Sequence, residues 1–323
     1  MKRLLPGAIL FAALCIVCAC QKNDAPRSQH QKLRVVTTLF PLYDFAREIG
    51  GDKVDVTLLL PPGVEPHSFE PRPDDLVRIS KADLFIFTSE QMEPWAMKLI
   101  KGVAEKSLLV VDSSKGARLL KAGAAKEHKG EQSAGMTAGN DGHHHGEGMD
   151  PHIWLDFSNA RIMVDNMATG MATKDPANRE YYTARAAAYK TELQKLDDEF
   201  KAGLATCGTR EFLHGGHYAF GYLANRYGLT YRSAQAVNPD AEPTPATIAG
   251  LVKLMREHHL TYVYSEELLS PRNAEMIAKE SGAKILMLHG AHNISKDELA
   301  SGATFIALMK KNLATLRTGL QCR

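Results

Sequence analysis

Apolar residues in this chain fall into short runs separated by stretches of helical periodicity, and the pattern occurs twice. Residues 33–38 (Leu-Arg-Val-Val-Thr-Thr), 54–60, 84–88 and 108–111 are short, apolar and bounded by turn residues, which predicts strands. Between them, residues 41–49, 74–81 and 95–106 carry helical spacing, with Pro41 opening the first helix and Gly50-Gly51 stopping it. The alternation resumes with strands at 211–214, 229–233, 261–265 and 284–289 and helices at 218–227, 247–259, 272–281 and 301–316. Strands alternating with helices imply parallel sheets, so the chain reads as α/β, with two four-stranded α/β lobes.

A long helical stretch separates the two patterns. Ser158 is placed as the cap of a helix reaching residue 172. Asp175 then serves as N-cap and Pro176 as the first position of a second helix, which continues to residue 205. Tyr189, Leu193, Leu196, Phe200 and Leu204 recur three and four apart, giving one apolar stripe. At 1.5 Å rise per residue such a helix is about 45 Å long, enough for a stiff spine joining the lobes. The organisation expected is a first lobe at 32–175, a linker helix at 176–205 and a second lobe at 206–323.

Composition adds an export signal. The chain has 323 residues, 44% hydrophobic and 24% charged, with a net charge of +2. No basic run or stripe points to nucleic acid, and a monomer is expected. Lys2 and Arg3 precede an apolar stretch at 4–17 that is short for a membrane span, so residues 1–19 read as a signal peptide. It ends in Val17-Cys18-Ala19-Cys20. A small residue before a cysteine resembles a bacterial lipobox, making Cys20 the lipidated N-terminus and residues 20–31 a tether. Plain cleavage near Ala19, leaving Cys20 free, is the alternative. Lipidation would anchor the protein outside the cytoplasm, in the periplasm or at the cell surface. In that oxidising compartment Cys207 and Cys322 remain, either as a disulfide tying the tail to the second lobe or as two buried thiols.

Four histidines stand out by position. His67 follows the second strand in Pro61-Pro62-Gly63-Val64-Glu65-Pro66-His67, where the prolines deny it a helix. His152 lies in Asp150-Pro151-His152-Ile153-Trp154-Leu155-Asp156, where a low-complexity stretch (121–149) gives way to apolar order. His217 and His292 follow the first and fourth strands of the second lobe. Ligands of open α/β sheets bind beyond the carboxyl ends of the strands, so facing lobes would bring all four to one metal cleft. Four imidazoles suit tetrahedral Zn2+ and match manganese, magnesium or calcium poorly, while copper and nickel stay open. His214 and His289 read as strand-end residues completing hydrogen bonds, with a role behind or in place of the ligands as the other reading. His258 and His259 suit a solvated helix end. His128, His143, His144 and His145, with Glu131, Asp141 and Glu147, form a separate tract suited to weak, flexible metal binding.

These segments resemble the zinc- and manganese-binding solute-binding lipoproteins of bacterial ABC transporters, cluster A-I, over about residues 33–320. Residues 60–71 resemble that family's first ligand loop. Residues 150–156 are similar to the second, preceded as in zinc members by a His-rich loop. His217-Tyr218-Ala219-Phe220-Gly221-Tyr222-Leu223-Ala224 matches the third, and Glu266-Glu267-Leu268-Leu269-Ser270-Pro271 resembles a segment near the site. The resemblance implies two lobes on one rigid helix, ligands at His67, His152 and His217, and zinc over manganese because the third ligand is histidine. The family's fourth ligand is usually a carboxylate or water; here spacing puts His292 there, with Glu266, Glu267 or water as alternatives. An all-histidine site would carry the ion's full +2 charge.

The function implied is high-affinity capture of zinc outside the cytoplasm and delivery to an ABC-transporter permease, without catalysis. Affinity should fall as pH approaches the ordinary histidine pKa of about 6.5. The alternatives are a zinc-dependent hydrolase, against which stands the lack of a His-Glu-x-x-His stretch, and an extracellular zinc buffer or adhesin.

Overall fold

The structure is a computed structural model and describes residues 32–102, 107–123 and 148–323. Among the described residues, two parallel four-stranded sheets carry the fold. The first holds β1 (Leu33–Thr37), β2 (Val54–Leu58), β3 (Leu84–Phe87) and β4 (Leu109–Asp112), in the order β2-β1-β3-β4. The second holds β5 (Glu211–His214), β6 (Thr230–Ser233), β7 (Tyr262–Glu266) and β8 (Lys284–Leu288), in the order β6-β5-β7-β8. The permutation is the same in both, so the architecture is duplicated although no sequence repeat announces it. Each order reverses beside its first strand, where a crevice opens at the carboxyl ends.

The first half adds α1 (Phe40–Gly50), α2 (Pro73–Ser80), α3 (Pro94–Gly102) and α4 (Phe157–Lys174). The spine is α5 (Arg179–Gly203). The second half adds α6 (Gly221–Tyr227), α7 (Pro245–Glu257), α8 (Arg272–Ser281), α9 (Lys296–Ala300) and α10 (Phe305–Gly319).

Several helix ends differ from the sequence expectation, each for a local reason. The cap of α4 is Asp156, whose carboxylate accepts the Ser158 N–H at 2.7 Å, so Ser158 sits inside the helix. Asp175 does not cap the spine. It ends α4, and its carboxylate accepts from Asn178 Nδ2 at 2.8 Å and from the Tyr182 hydroxyl at 2.7 Å. Pro176–Asn178 is therefore a separate 3-10 turn, and the spine begins at Arg179. Its 25 residues span about 38 Å, shorter than expected. The last helix starts at Phe305 rather than at 301 because Thr304 caps it, its hydroxyl accepting the Ala307 N–H at 3.2 Å. Residues 296–300 form α9 instead, set by a reciprocal Ser295–Glu298 capping box that the expectation lacked. α6 opens at Gly221 rather than 218 because the turn carrying His217 uses the preceding residues.

The largest core runs through both halves. It joins Leu33 and Val35 of β1 and Phe45 of α1, by way of Tyr189, Leu193 and Phe200 on the spine stripe, to Phe305 and Leu316 of α10. The Phe45 ring meets Tyr189 at 5.6 Å and Phe305 at 5.1 Å. Each such fully buried apolar side chain contributes about 1.5–3 kcal/mol, so separating the halves is costly. Two smaller clusters fill the outer layers, Phe85 and Phe87 with Ile79 in the first half and Leu213 and Val263 with Leu251 and Ile277 in the second.

Buried polar ties reinforce the junction. Asp44 of α1 accepts the Phe305 N–H at 2.9 Å and the Tyr189 hydroxyl at 3.4 Å. Arg226 of α6 forks onto Asp197 of the spine at 2.7 and 2.6 Å and reaches Asp156 at 2.8 Å. A disulfide joins Cys207, just past the spine, to Cys322, just past α10. Cys20, the signal peptide and tether, and His128, His143, His144 and His145 lie outside the described residues.

Candidate metal centre

The four histidines reach one point by four different local routes. After β2 the chain turns at Gly63, whose φ of +85° suits only glycine well, and the His67 N–H is held by Glu65 Oε1 at 3.0 Å. Phe69 in the same loop lies edge-on to Trp95, with ring centroids 5.6 Å apart. His152 leads into the buried turn Ile153–Leu155. Asp150 Oδ1 accepts both its backbone N–H, at 3.0 Å, and its ring Nδ1, at 2.7 Å. That bond leaves the Nε2 lone pair aimed into the centre. Trp154 Nε1 then donates to the Gly290 carbonyl at 2.9 Å, tying this turn to the second half.

The other two histidines sit on matching turns. β5 ends at His214, and Gly215-Gly216 carry the chain to His217. A Cβ on Gly216 would lie 2.2 Å from Glu266 Oε2 and 2.7 Å from His214, so any side chain there would displace the carboxylate beside His217. β8 ends before His289, and Gly290-Ala291 carry the chain to His292. Glu266 ends β7 and Glu267 follows it, between the two turns. Glu266 accepts the His217 N–H at 3.2 Å, and its other oxygen lies 2.6 Å from His217 Nδ1, off the line of a hydrogen bond. Glu267 accepts the Gly290 N–H at 2.9 Å and lies 3.7 Å from His292 Nδ1.

The result is a cluster whose four ligand nitrogens all lie within 4.8 Å of one another. His152 Nε2 is 3.2 Å from both His67 Nε2 and His217 Nε2. A tetrahedral zinc with bonds of 2.0–2.1 Å sets its nitrogens about 3.3 Å apart. His292 Nε2 is buried without a hydrogen-bond partner among the described residues, and an ion bound by its lone pair would satisfy it. The residues fit zinc. His152, His217 and His292 are buried; His67 is part-exposed and lines a cavity of about 1020 Å³ between the halves, with Met92, Met149, Tyr218 and Gln235 also on its wall.

Burial, with the repulsion of neighbouring histidines, holds His67, His152 and His217 well below the ordinary histidine pKa. At His292 burial acts in the same direction, but Glu267 outweighs it, with help from Glu266 and Glu65, and the pKa is raised. Proton competition therefore begins at His292 rather than at all four rings. Nor does an ion here face an uncompensated charge of +2. Asp150, Glu266 and Glu267 stand directly behind the rings. Burial pushes Asp150 and Glu266 up to about 7, whereas, against burial, His289 and His292 hold Glu267 well below the ordinary carboxylate value, so the standing negative charge is that of Glu267. Glu266 and Glu267 thus face the outer Nδ1 side of the cluster rather than its centre.

His214 Nδ1 lies 3.2 Å from the His217 carbonyl, and His289 Nδ1 accepts the Ala291 N–H at 2.9 Å, so both strand-end histidines stabilise the turns. His258 is paired, not merely solvated, with Nδ1 2.5 Å from Glu211 Oε2. Asp150, Glu65 and Trp154 have roles that appear only in the fold. A carboxylate two residues before a candidate ligand was the available signal for the first two.

From residue 35 to 319 the sequence matches the family of zinc-uptake complex component A, periplasmic (ZnuA). The chain belongs to this family. The "High-affinity zinc uptake system protein ZnuA" of Bacillus subtilis (strain 168) is 37% identical over 97% of this chain and 96% of its own length. The "Zinc-binding lipoprotein AdcA" of Streptococcus pneumoniae (strain R6) is 32% identical over 96% of this chain but only 60% of its own length. Among solved structures, the metal-dependent lipoprotein YcdH of B. subtilis matches 90% of this chain and 99% of its own, with a TM-score of 0.74 and 37% identity. The Zn(II)-bound ZnuA-like domain of S. pneumoniae AdcA matches 90% of this chain and 99% of its own, with a TM-score of 0.73 and 30% identity. These two solved structures thus share the overall fold described above.

Proposed function

We propose that this ZnuA-family protein captures zinc outside the cytoplasm and passes it to the membrane permease of an ABC transporter, with His67, His152, His217 and His292 as ligands. The observation that carries the reading is the pair of 3.2 Å Nε2 separations about His152, in a cluster where Asp150 fixes the ring's orientation from behind. Zinc is cargo, and four protein nitrogens leave no open position for the activated water that a hydrolase needs. The zinc-uptake and zinc-binding names of the relatives support the same choice of ion. Cys20 would carry the lipid that anchors a monomer beside its permease, with 32–175 and 206–323 as lobes about the spine.

The test is a competitive zinc titration of protein starting at Lys22, with residues 126–147 removed. One tight zinc per chain, lost on changing His152 to alanine, is the expected result. Absence of a tight site would move the affinity to the removed tract and end this reading. Zinc-dependent hydrolysis of generic esters or peptides would favour the enzyme instead.

A further inference from the structure

His217 and His292 are fixed on the second sheet by two glutamates at the end of one strand. His67 and His152 lie instead on loops of the first half. Two second-half side chains grip those loops by their backbones. Asn293, fully buried, donates through Nδ2 to the carbonyls of Pro61 and Val64, both at 2.8 Å, in the loop leading to His67. Its Oδ1 is occupied by the Ile294 N–H at 2.8 Å, which fixes the amide's orientation.

Tyr222 of α6 does the same on the other side. Residues around Lys121 and Met149 form a short antiparallel stem, with Ala122 N–H bonded to the Gly148 carbonyl at 3.0 Å and Asp150 N–H to the Leu120 carbonyl at 2.8 Å. The buried Tyr222 hydroxyl donates to the Asp150 carbonyl at 3.0 Å and accepts the Leu120 N–H at 3.0 Å. One hydroxyl from the second half therefore clasps both legs of the stem. The clasped Asp150 is also the carboxylate that orients His152.

We infer that Tyr222 and Asn293 are positioning residues that govern how long zinc stays bound, each latching one first-half ligand segment to the second half. The inference rests on the zinc site proposed above. Because the core runs unbroken through both halves, zinc leaves by local displacement of the His67 and His152 segments. That displacement must break the Tyr222 or Asn293 bonds. The latches act through the ligands and touch no metal, so their removal changes release more than capture.

The experiment is stopped-flow transfer of zinc from the full chain to a chromophoric chelator, with Tyr222→Phe and Asn293→Ser compared with the parent. Tyr222→Phe, which removes both hydroxyl bonds, should release zinc about tenfold faster, with the association rate unchanged. Asn293→Ser should act in the same direction. Tyr227→Phe is the comparison, since its hydroxyl bonds Asp197 at 2.9 Å on the spine; it should lower Tm and leave release unchanged. Unaltered release in Tyr222→Phe, or equal acceleration in Tyr227→Phe, overturns the inference. Should Asn293→Ser fail to fold, Tyr222→Phe decides alone. If the parent protein holds no zinc, the site assignment fails, a result distinct from tight binding with indifferent latches.

Discussion

Glu266 and Glu267 are neighbours in the chain, yet each serves a different histidine turn. Glu266 meets the backbone and ring of His217, while Glu267 meets Gly290 and the rings of His289 and His292. One strand end thus braces two matching His-Gly-x-His turns. Changing either glutamate to glutamine keeps the shape and removes the charge. Each variant should bind zinc about 10–100-fold more weakly while the metal-free protein still folds. Competitive titration beside a melting curve checks this, and unchanged affinity in both variants would remove the bracing role.

Asp44 gives a pH dependence of unusual sign. Burial at the junction of α1, α5 and α10 raises its pKa from 3.8 to about 6, against the Phe305 N–H and Tyr189 bonds that favour its charge; Glu48 adds to the rise and Arg47 opposes it. The folded state binds this proton more tightly than the unfolded one. Its contribution to stability is therefore fully present below about pH 4 and is lost as pH rises through about 6. Asp44→Asn should raise stability at pH 8 by at most about 3 kcal/mol, and the gain should shrink towards pH 4. Urea unfolding of the metal-free protein at the two pH values measures it. An equal effect at both would show that Asp44 does not titrate in this range.

Asp197 works in the opposite sense. Its burial opposes ionisation, but hydrogen bonds from Arg226, Lys201 and Tyr227 prevail and hold its pKa well below 3.8. Its contribution is present above that value and is lost as pH falls below it. Arg226→Ala leaves a carboxylate with a side chain only 2% exposed without its fork and also frees Asp156 at the start of α4. The expected loss is about 3–5 kcal/mol at neutral pH. Denaturant midpoints decide, and a loss no larger than that of an exposed pair would show that Lys201 and Tyr227 suffice.

Replacing Cys207 and Cys322 together by serine opens a loop with a sequence separation of 115. Stability should fall by about 2–5 kcal/mol. Zinc affinity should hold, because Cys207 lies before the start of β5 whereas His217 lies beyond its carboxyl end. A large loss of affinity in a variant that still melts cooperatively would contradict this separation of roles.

The duplicated strand plan was legible because β-rich apolar runs and helical spacing alternate regularly. His217 and His292 were legible because each follows a strand. Helix ends were less so. Asp175 carries the signature of a cap, but its bonds to Tyr182 and Asn178 commit it to a turn. Glu266 and Glu267 were visible as acids near a site, and only the fold shows that they face the outer edges of the rings. Tyr222 stands in the segment that resembles the third ligand loop, but neither its bonds nor those of Asn293 are legible in sequence. Their partners lie far away in the chain, Pro61 and Asp150 among them, and nothing local encodes such a meeting.

The continuous core has a consequence for how this protein can be divided. Its two sheets follow one plan, yet neither half is a part that stands alone. Phe305 and Leu316, near the end of the chain, share a cluster with Phe45, near its start. A fragment cut after the spine would expose Phe45, Tyr189 and Phe200 to water, and its complement would carry Phe305 with no wall to meet. The duplication is one of strand order and not of independent modules: each half finishes its core on the other.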